Sequence, residues 1–370
     1  MKSPSPERRL ERRFAMWLLL GVAFVVALAE GVLGQRRAAV HGATVDWSAL
    51  TDATAMEFTP DGLPLFRPGA VLGEVRFNAL GLRGPEVVMP KPERTIRIAF
   101  LGDSRILAPE LALASTLPEL TQERLQLAHP NCRFDYLSLS GPSYHPAILA
   151  DLWTRSAAQT DPDLAILMIG SIQQMLRAYD AGAPPQHRLL SVTAGGFSAE
   201  ARHPQGVDTG IADLTLFATL RRILILSMPV LRPRDRLTLP MPTLGQAFAQ
   251  MMLPLVSAMA DTPVTAVAYR TRLRADADLS VQRRDARQLR IDVQGLSLDG
   301  ALALSDFVVD QMAAVAATQG WDYIDPLPPL AENASHFRDQ FHFTEKGHAH
   351  IATQLATRIG TKVTEDCKLR

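Results

Sequence analysis

Past residue 95 the chain alternates short apolar runs with longer stretches in which apolar residues recur every three to four positions. The runs at 95–101, 133–139, 164–169, 263–269 and 321–324 read as strands, and the stretches at 116–127, 145–160, 298–318 and 346–359 read as helices. Strands joined through helices need crossover connections, so they run parallel, with helices covering their sheet. The expected fold class is therefore α/β, a three-layer parallel sheet with helices on both faces. Ligands of such sheets bind beyond the carboxyl ends of the strands. Ser104 and Gly170 lie at two of these ends, and Gly141 shortly follows a third.

At 370 residues the chain can hold one large domain or two ordinary ones. With 47% hydrophobic and 21% charged residues it is globular rather than disordered in type. Lys and Arg number 38, as do Asp and Glu, so the formal net charge is zero. That balance argues against nucleic acid as a partner, since a nucleic-acid surface needs an excess of positive charge.

The N-terminal region has a different character. Residues 14–29 carry no charge, Glu30 interrupts, and Gly31-Val-Leu-Gly34 follows. As a helix, 14–34 spans about 31 Å, close to the hydrocarbon thickness of a bilayer. Lys2, Arg8, Arg9, Arg12 and Arg13 precede it, and only Arg36 and Arg37 follow nearby. The positive-inside bias keeps the N-terminus cytoplasmic and sends the remainder across. The expectation is a basic cytoplasmic tail at 1–13, a single-pass signal anchor at 14–34 and an extracytoplasmic main domain, periplasmic in a Gram-negative cell. Ala27-Leu-Ala29 has the small-x-small pattern of a cleavage site, so a cleaved signal peptide stays open as the alternative.

Between the anchor and the first strand, turn residues are frequent: Pro60-Asp-Gly62, Arg67-Pro-Gly69, Gly84-Pro85 and Pro90. Residues 35–90 therefore read as a stalk and lead-in to a domain over 91–362, with a short tail at 363–370. Residues 172–262 break the strand–helix rhythm and read as an insertion, with helices near 212–226 and 244–260. The apolar stretches at 223–231 and 248–259 are too short to cross a bilayer and read as core or amphipathic surface helices. Two cysteines, Cys132 and Cys367, do not make a disulfide scaffold. Cys132 reads as a small buried hydrophobe ahead of a strand. A Cys132–Cys367 bridge is allowed outside the cytoplasm, and spacing alone does not decide it.

Chemistry concentrates in two segments far apart. Ile98-Ala-Phe-Leu-Gly-Asp-Ser104 ends an apolar run, and Asp339-Gln-Phe-His342 precedes Phe343-Thr-Glu-Lys-Gly347. A serine at the end of a buried strand is well placed as a nucleophile, and a carboxylate three residues before a histidine can hold the imidazole in one tautomer. Ser104 is the candidate nucleophile, His342 the base with an ordinary pKa near neutrality, and Asp339 its orienter. Each also has a plain structural use: Ser104 and Asp339 as caps or turn residues, His342 as a satisfied loop histidine. Asp103 reads as structural, bonding loop N–H groups, and Thr344 as the cap of the last helix. His348 and His350 are two apart and diverge on a helix, which speaks against a metal site with His336. No metal and no cofactor is expected.

Gly102-Asp103-Ser104 and Asp339-x-x-His342 resemble the SGNH/GDSL hydrolases, and Asn78-Ala-Leu-Gly-Leu-Arg-Gly-Pro-Glu86 is similar to the lead-in of their membrane-anchored bacterial members. The resemblance covers roughly 78–171 and 298–360. It implies a flavodoxin-like sheet, with Ser104 as nucleophile and, through its backbone N–H, as an oxyanion donor. It also implies Gly141, in Ser140-Gly-Pro-Ser-Tyr144, as a second donor, and Asp339 and His342 as the rest of a triad. The third block departs. The family has Gly-x-Asn-Asp where this chain has Gly170-Ser-Ile-Gln173, so Ile172 replaces an amide donor and Gln173 or Gln174 is left to stand in. Losing one such donor costs on the order of 10²–10³ in rate. Arg105 departs as well, since the family has a small or aliphatic residue there.

The activity implied is that of a membrane-anchored serine esterase acting on acyl esters, for example acetyl esters, of a glycan or lipid. An O-acyltransferase of a surface polysaccharide would use the same triad, and an impaired binding or scaffold protein would explain Ile172 and Arg105. Arg270, Arg272 and Arg274 are expected to face either an anionic substrate or solvent.

Overall fold

The computed structural model describes residues 55–58, 64–184, 189, 238–293, 295–326 and 334–369. The anchor at 14–34 and the helix expected near 212–226 lie outside the described residues. Strands β1 (Met56–Phe58) and β2 (Pro64–Phe66) form one antiparallel pair, and β3 (Val71–Leu72) and β4 (Val75–Arg76) another. These hairpins belong to the folded domain. Phe66 and Phe77 stack with ring centroids 4.0 Å apart, and Leu72, Val75 and Leu82 join the core. The second half of the expected stalk is thus packed structure.

The main sheet is all parallel. It contains β5 (Thr95–Gly102), β6 (Arg133–Ser140), β7 (Leu164–Met168), β8 (Val264–Val267) and β9 (Asp322–Ile324), in the spatial order β6-β5-β7-β8-β9. β5 is buried along its whole length, as a strand covered on both faces must be. Its one charged residue, Arg97, is fully buried and satisfied. The guanidinium pairs with both Asp135 oxygens at 2.8 Å and donates to the Thr160 and Val88 carbonyls. The chain steps from β5 to β6 on one side and returns past β5 to β7 on the other. Strand order therefore reverses at β5, and a doubly wound sheet opens its ligand crevice at the carboxyl end of such a strand.

Helices α1 (Ser104–Leu107), α2 (Leu117–Ala128), α3 (Pro146–Leu152), α4 (Ile172–Gly182) and α5 (Met241–Ala258) follow in the first two thirds. α6 (Leu279–Asp285), α7 (Arg287–Asp292), α8 (Leu298–Gln319) and α9 (Glu345–Gly360) complete the set among the described residues. α2 packs with α9, while α3, α4 and α8 gather around α5. The helix expected over 145–160 is α-helical only to Leu152. It then widens into a π turn at Trp153–Ala157, which keeps Trp153 and Ala157 buried, and ends where Asp161 turns left-handed. Both described ends of the stretch 172–262 belong to the helical layer, since α4 follows β7 directly and α5 leads into β8. α8 is long and apolar enough to cross a membrane, but Ala301, Leu304, Val308, Met312 and Ala316 give it one buried face at helical spacing.

Cys132 and Cys367 form a disulfide with Cα atoms 5.4 Å apart. Cys132 is buried, but as half of a bridge that ties the C-terminal tail to the start of β6.

Candidate active site

Gly102 ends β5, Asp103 caps α1, and Ser104 is the first helical residue. A Cβ on Gly102 would lie 2.4 Å from the Ile106 side chain and 2.7 Å from the Met168 carbonyl, so glycine is what lets α1 turn so closely over the strand. The Asp103 carboxylate accepts the Arg105 N–H at 3.0 Å and the Tyr269 hydroxyl at 2.7 Å. It fixes the turn and is not aimed at a substrate.

His342 comes from a small looped hairpin ahead of α9. Phe337 and Phe343 bridge antiparallel, the Arg338 N–H donates to the His342 carbonyl, and the Arg272 N–H ties the Gln340 carbonyl to the segment after β8. Thr344 caps α9, accepting from the Gly347 N–H. Asp339 Oδ1 accepts the backbone N–H groups of Phe341 and His342, each at 2.8 Å. Its Oδ2 lies 2.7 Å from His342 Nδ1, and His342 Nε2 lies 2.9 Å from Ser104 Oγ. Ser104, His342 and Asp339 thus form one hydrogen-bonded line. In neutral imidazole that line requires Nδ1–H to donate to the carboxylate and Nε2 to accept from the serine hydroxyl. The line opens to solvent at its acid end, where the Asp339 side chain is 51% exposed against 22% for His342.

Burial pulls the His342 imidazole down. The Asp339 hydrogen bond, the Asp339 charge and the Glu110 charge outweigh it, against a smaller opposing effect of Arg105, and the ring titrates above the ordinary histidine value. Burial likewise pushes Asp339 up, but the hydrogen bond and charge of His342, with the two N–H bonds, hold it well below the usual carboxylate range.

The register of β5 and β6 pairs Gly102 with Ser140, so Gly141 emerges beside Asp103. The Tyr144 ring lies against Gly141, where a Cβ would sit 2.3 Å from it. At the third block Gly170 takes φ +96°, Ser171 caps α4, and Ile172 is 3% exposed in the core. Gln174 does not reach toward Ser104. Its Oε1 accepts the Gly170 and Ser171 N–H groups, and its Nε2 donates to the Tyr144 carbonyl at 2.6 Å. The reason is local: Ser171-x-x-Gln174 is a capping box, a signal present in the sequence. Gln173, one residue earlier on α4, is half-buried.

Arg105 is fully buried. Its guanidinium stacks 3.5 Å from the Tyr269 ring centroid and 5.0 Å from that of Phe343, and donates to the Arg270 carbonyl at 2.7 Å. It joins the Ser104 turn, the segment after β8 and the histidine loop through cation–π and hydrogen-bond contacts. Arg270 pairs with Asp325 and Asp306, Arg272 with Asp285, and Arg274 with Asp276, so all three are engaged within the chain. His348 accepts the Leu117 N–H at 2.9 Å, and burial pulls its pKa down to about 3. Among the described residues no group of His, Cys, Asp and Glu is arranged to hold a metal. A cavity of about 160 Å³ is lined by Tyr144, Phe66, Leu82, Ser140 and Leu152, and not by Ser104, His342 or Asp339.

No protein-family model and no curated protein matches the chain. Solved structures do. An alpha/beta hydrolase from the metagenome of Lake Arreo, Spain, is 15% identical over 72% of this chain and 94% of its own, with a TM-score of 0.40. The lipase/acylhydrolase of Enterococcus faecalis is 10% identical over 73% and 98%, with a TM-score of 0.39. An acetylxylan esterase of Geobacillus stearothermophilus is 12% identical over 73% and 95%, with a TM-score of 0.41. Within this chain the parallel sheet runs in the order β6-β5-β7-β8-β9, with Gly102-Asp103-Ser104 ending β5 and Asp339-x-x-His342 ahead of α9.

Proposed function

We propose that this chain is a serine ester hydrolase acting through an acyl-serine intermediate. The observation that carries the reading is the line Asp339 Oδ2–His342 Nδ1 at 2.7 Å and His342 Nε2–Ser104 Oγ at 2.9 Å. Ser104 Oγ attacks the acyl carbonyl carbon while its proton passes to His342 Nε2. The carbonyl electron pair moves to oxygen, facing the N–H groups of Ser104 and Gly141. Collapse of the tetrahedral intermediate breaks the ester C–O bond, and the departing alcohol takes the proton from His342. Water then repeats the sequence on the acyl-serine. Asp339 keeps its charge and stabilises the imidazolium.

The substrate assigned is an acyl ester, for example acetyl, on a glycan or lipid. Attachment is through the anchor at 14–34, with the folded domain on the extracytoplasmic side. The Cys132–Cys367 bridge supports that side, because structural disulfides persist in oxidising compartments. Ile172, buried where the family donates an amide, favours slower turnover than an intact third block would give and keeps a binding role as the second reading.

The test is labelling by a fluorophosphonate probe together with hydrolysis of p-nitrophenyl acetate. The wild-type chain is expected to do both and Ser104→Ala neither. Equal hydrolysis by the two proteins rules out the esterase reading, and an unlabelled wild type favours the binding role.

A further inference from the structure

The segment 78–86 stands before the first sheet strand, and the mechanism above gives it no task. Its conformation is self-locked. Asn78 Oδ1 accepts the Leu80 and Leu82 N–H groups, Asn78 Nδ2 donates to the Pro85 carbonyl, and Glu86 accepts the Ala79 N–H. Gly81 holds φ +71°, and a Cβ there would lie 2.3 Å from the Phe66 carbonyl oxygen. What this loop presents is Arg83, buried at 5% exposure.

Arg83 reaches the nucleophile turn. α1 is a single helical turn that ends with Ala108 in the left-handed conformation. A helix end leaves carbonyls without intrahelical partners. Arg83 takes the carbonyl of the last helical residue and two more just beyond it, donating from Nη1 to the Leu107 and Ala108 carbonyls and from Nη2 to the Leu111 carbonyl at 2.6 Å.

We propose that the 78–86 loop is a working part of the site: Arg83 is a positioning residue that clamps the stretch after Ser104 and so sets the approach of the Ser104 hydroxyl to His342 Nε2. This rests on the esterase reading of His342 as the base.

The experiment pairs fluorophosphonate labelling of Ser104 over a range of pH with amide hydrogen exchange at 104–111, both in the full chain. Arg83→Lys keeps the charge without the planar fork and is expected to slow labelling by up to about 10²-fold at every pH, with the pH midpoint of labelling unmoved, and to quicken exchange at 104–111. An Arg83→Lys chain that labels and exchanges as wild type overturns the clamp. A wild type that fails to label at Ser104 defeats the esterase reading instead, and the exchange still decides the clamp.

Discussion

Asp339 holds His342 twice: Oδ2 meets the ring Nδ1 at 2.7 Å, and Oδ1 accepts the backbone N–H of the same residue at 2.8 Å. One carboxylate thus sets both the loop that carries the imidazole and the ring's tautomer. Asp339→Asn should keep the loop's backbone contacts but favour the wrong tautomer, lowering kcat for ester hydrolysis by about 10⁴-fold with little change in melting temperature. Asp339→Ala should lose the loop contacts too and lower both. Equal kcat in wild type and Asp339→Asn removes Asp339 from the mechanism.

The pH dependence follows from the same pair. The base must be neutral to accept the Ser104 proton, and the folded site holds His342 above the ordinary histidine value. Activity should therefore rise with pH through a midpoint above about 6.5, the unperturbed imidazole value. A kcat/KM profile whose acidic limb lies below that value contradicts the assignment of His342.

Gln174 should matter more to stability than its place on a helix suggests. Gln174→Ala removes the partner of the Gly170 and Ser171 N–H groups and of the Tyr144 carbonyl. The expected cost is about 2–3 kcal/mol, read as a lower urea midpoint at unchanged slope. The Tyr144 ring supports Gly141, so labelling of Ser104 should also slow.

The Cys132–Cys367 bridge closes a loop with a sequence separation of 235. Cys367→Ala should destabilise the domain by about 2–5 kcal/mol in denaturant unfolding, and reduction of the wild type should reproduce the loss. Identical midpoints for oxidised and reduced protein contradict this.

Much of the fold was legible because its signals are local. The all-buried run of β5, the cap at Thr344 and the stripe of α8 each depend on neighbours within a few residues. Asp339 and His342 were readable as a pair for the same reason, being three apart. The capping box at Ser171-x-x-Gln174 was equally local but competed with a family pattern that expects a donor at Ile172. Arg105 was visible only as a departure from that pattern. Its use as a buried cation between Tyr269 and Phe343 depends on rings from distant elements.

By itself the sequence determined the alternation of strand and helix, and with it a parallel sheet, because backbone hydrogen bonding and side-chain periodicity are settled over a handful of residues. The tertiary structure alone decided strand order, the disulfide, the Arg83 clamp and the 2.9 Å approach of Ser104 to His342 across a separation of 238 residues. Those contacts depend on how each crossover lays its strand against the last, a choice among packings of similar local energy that only the assembled core resolves.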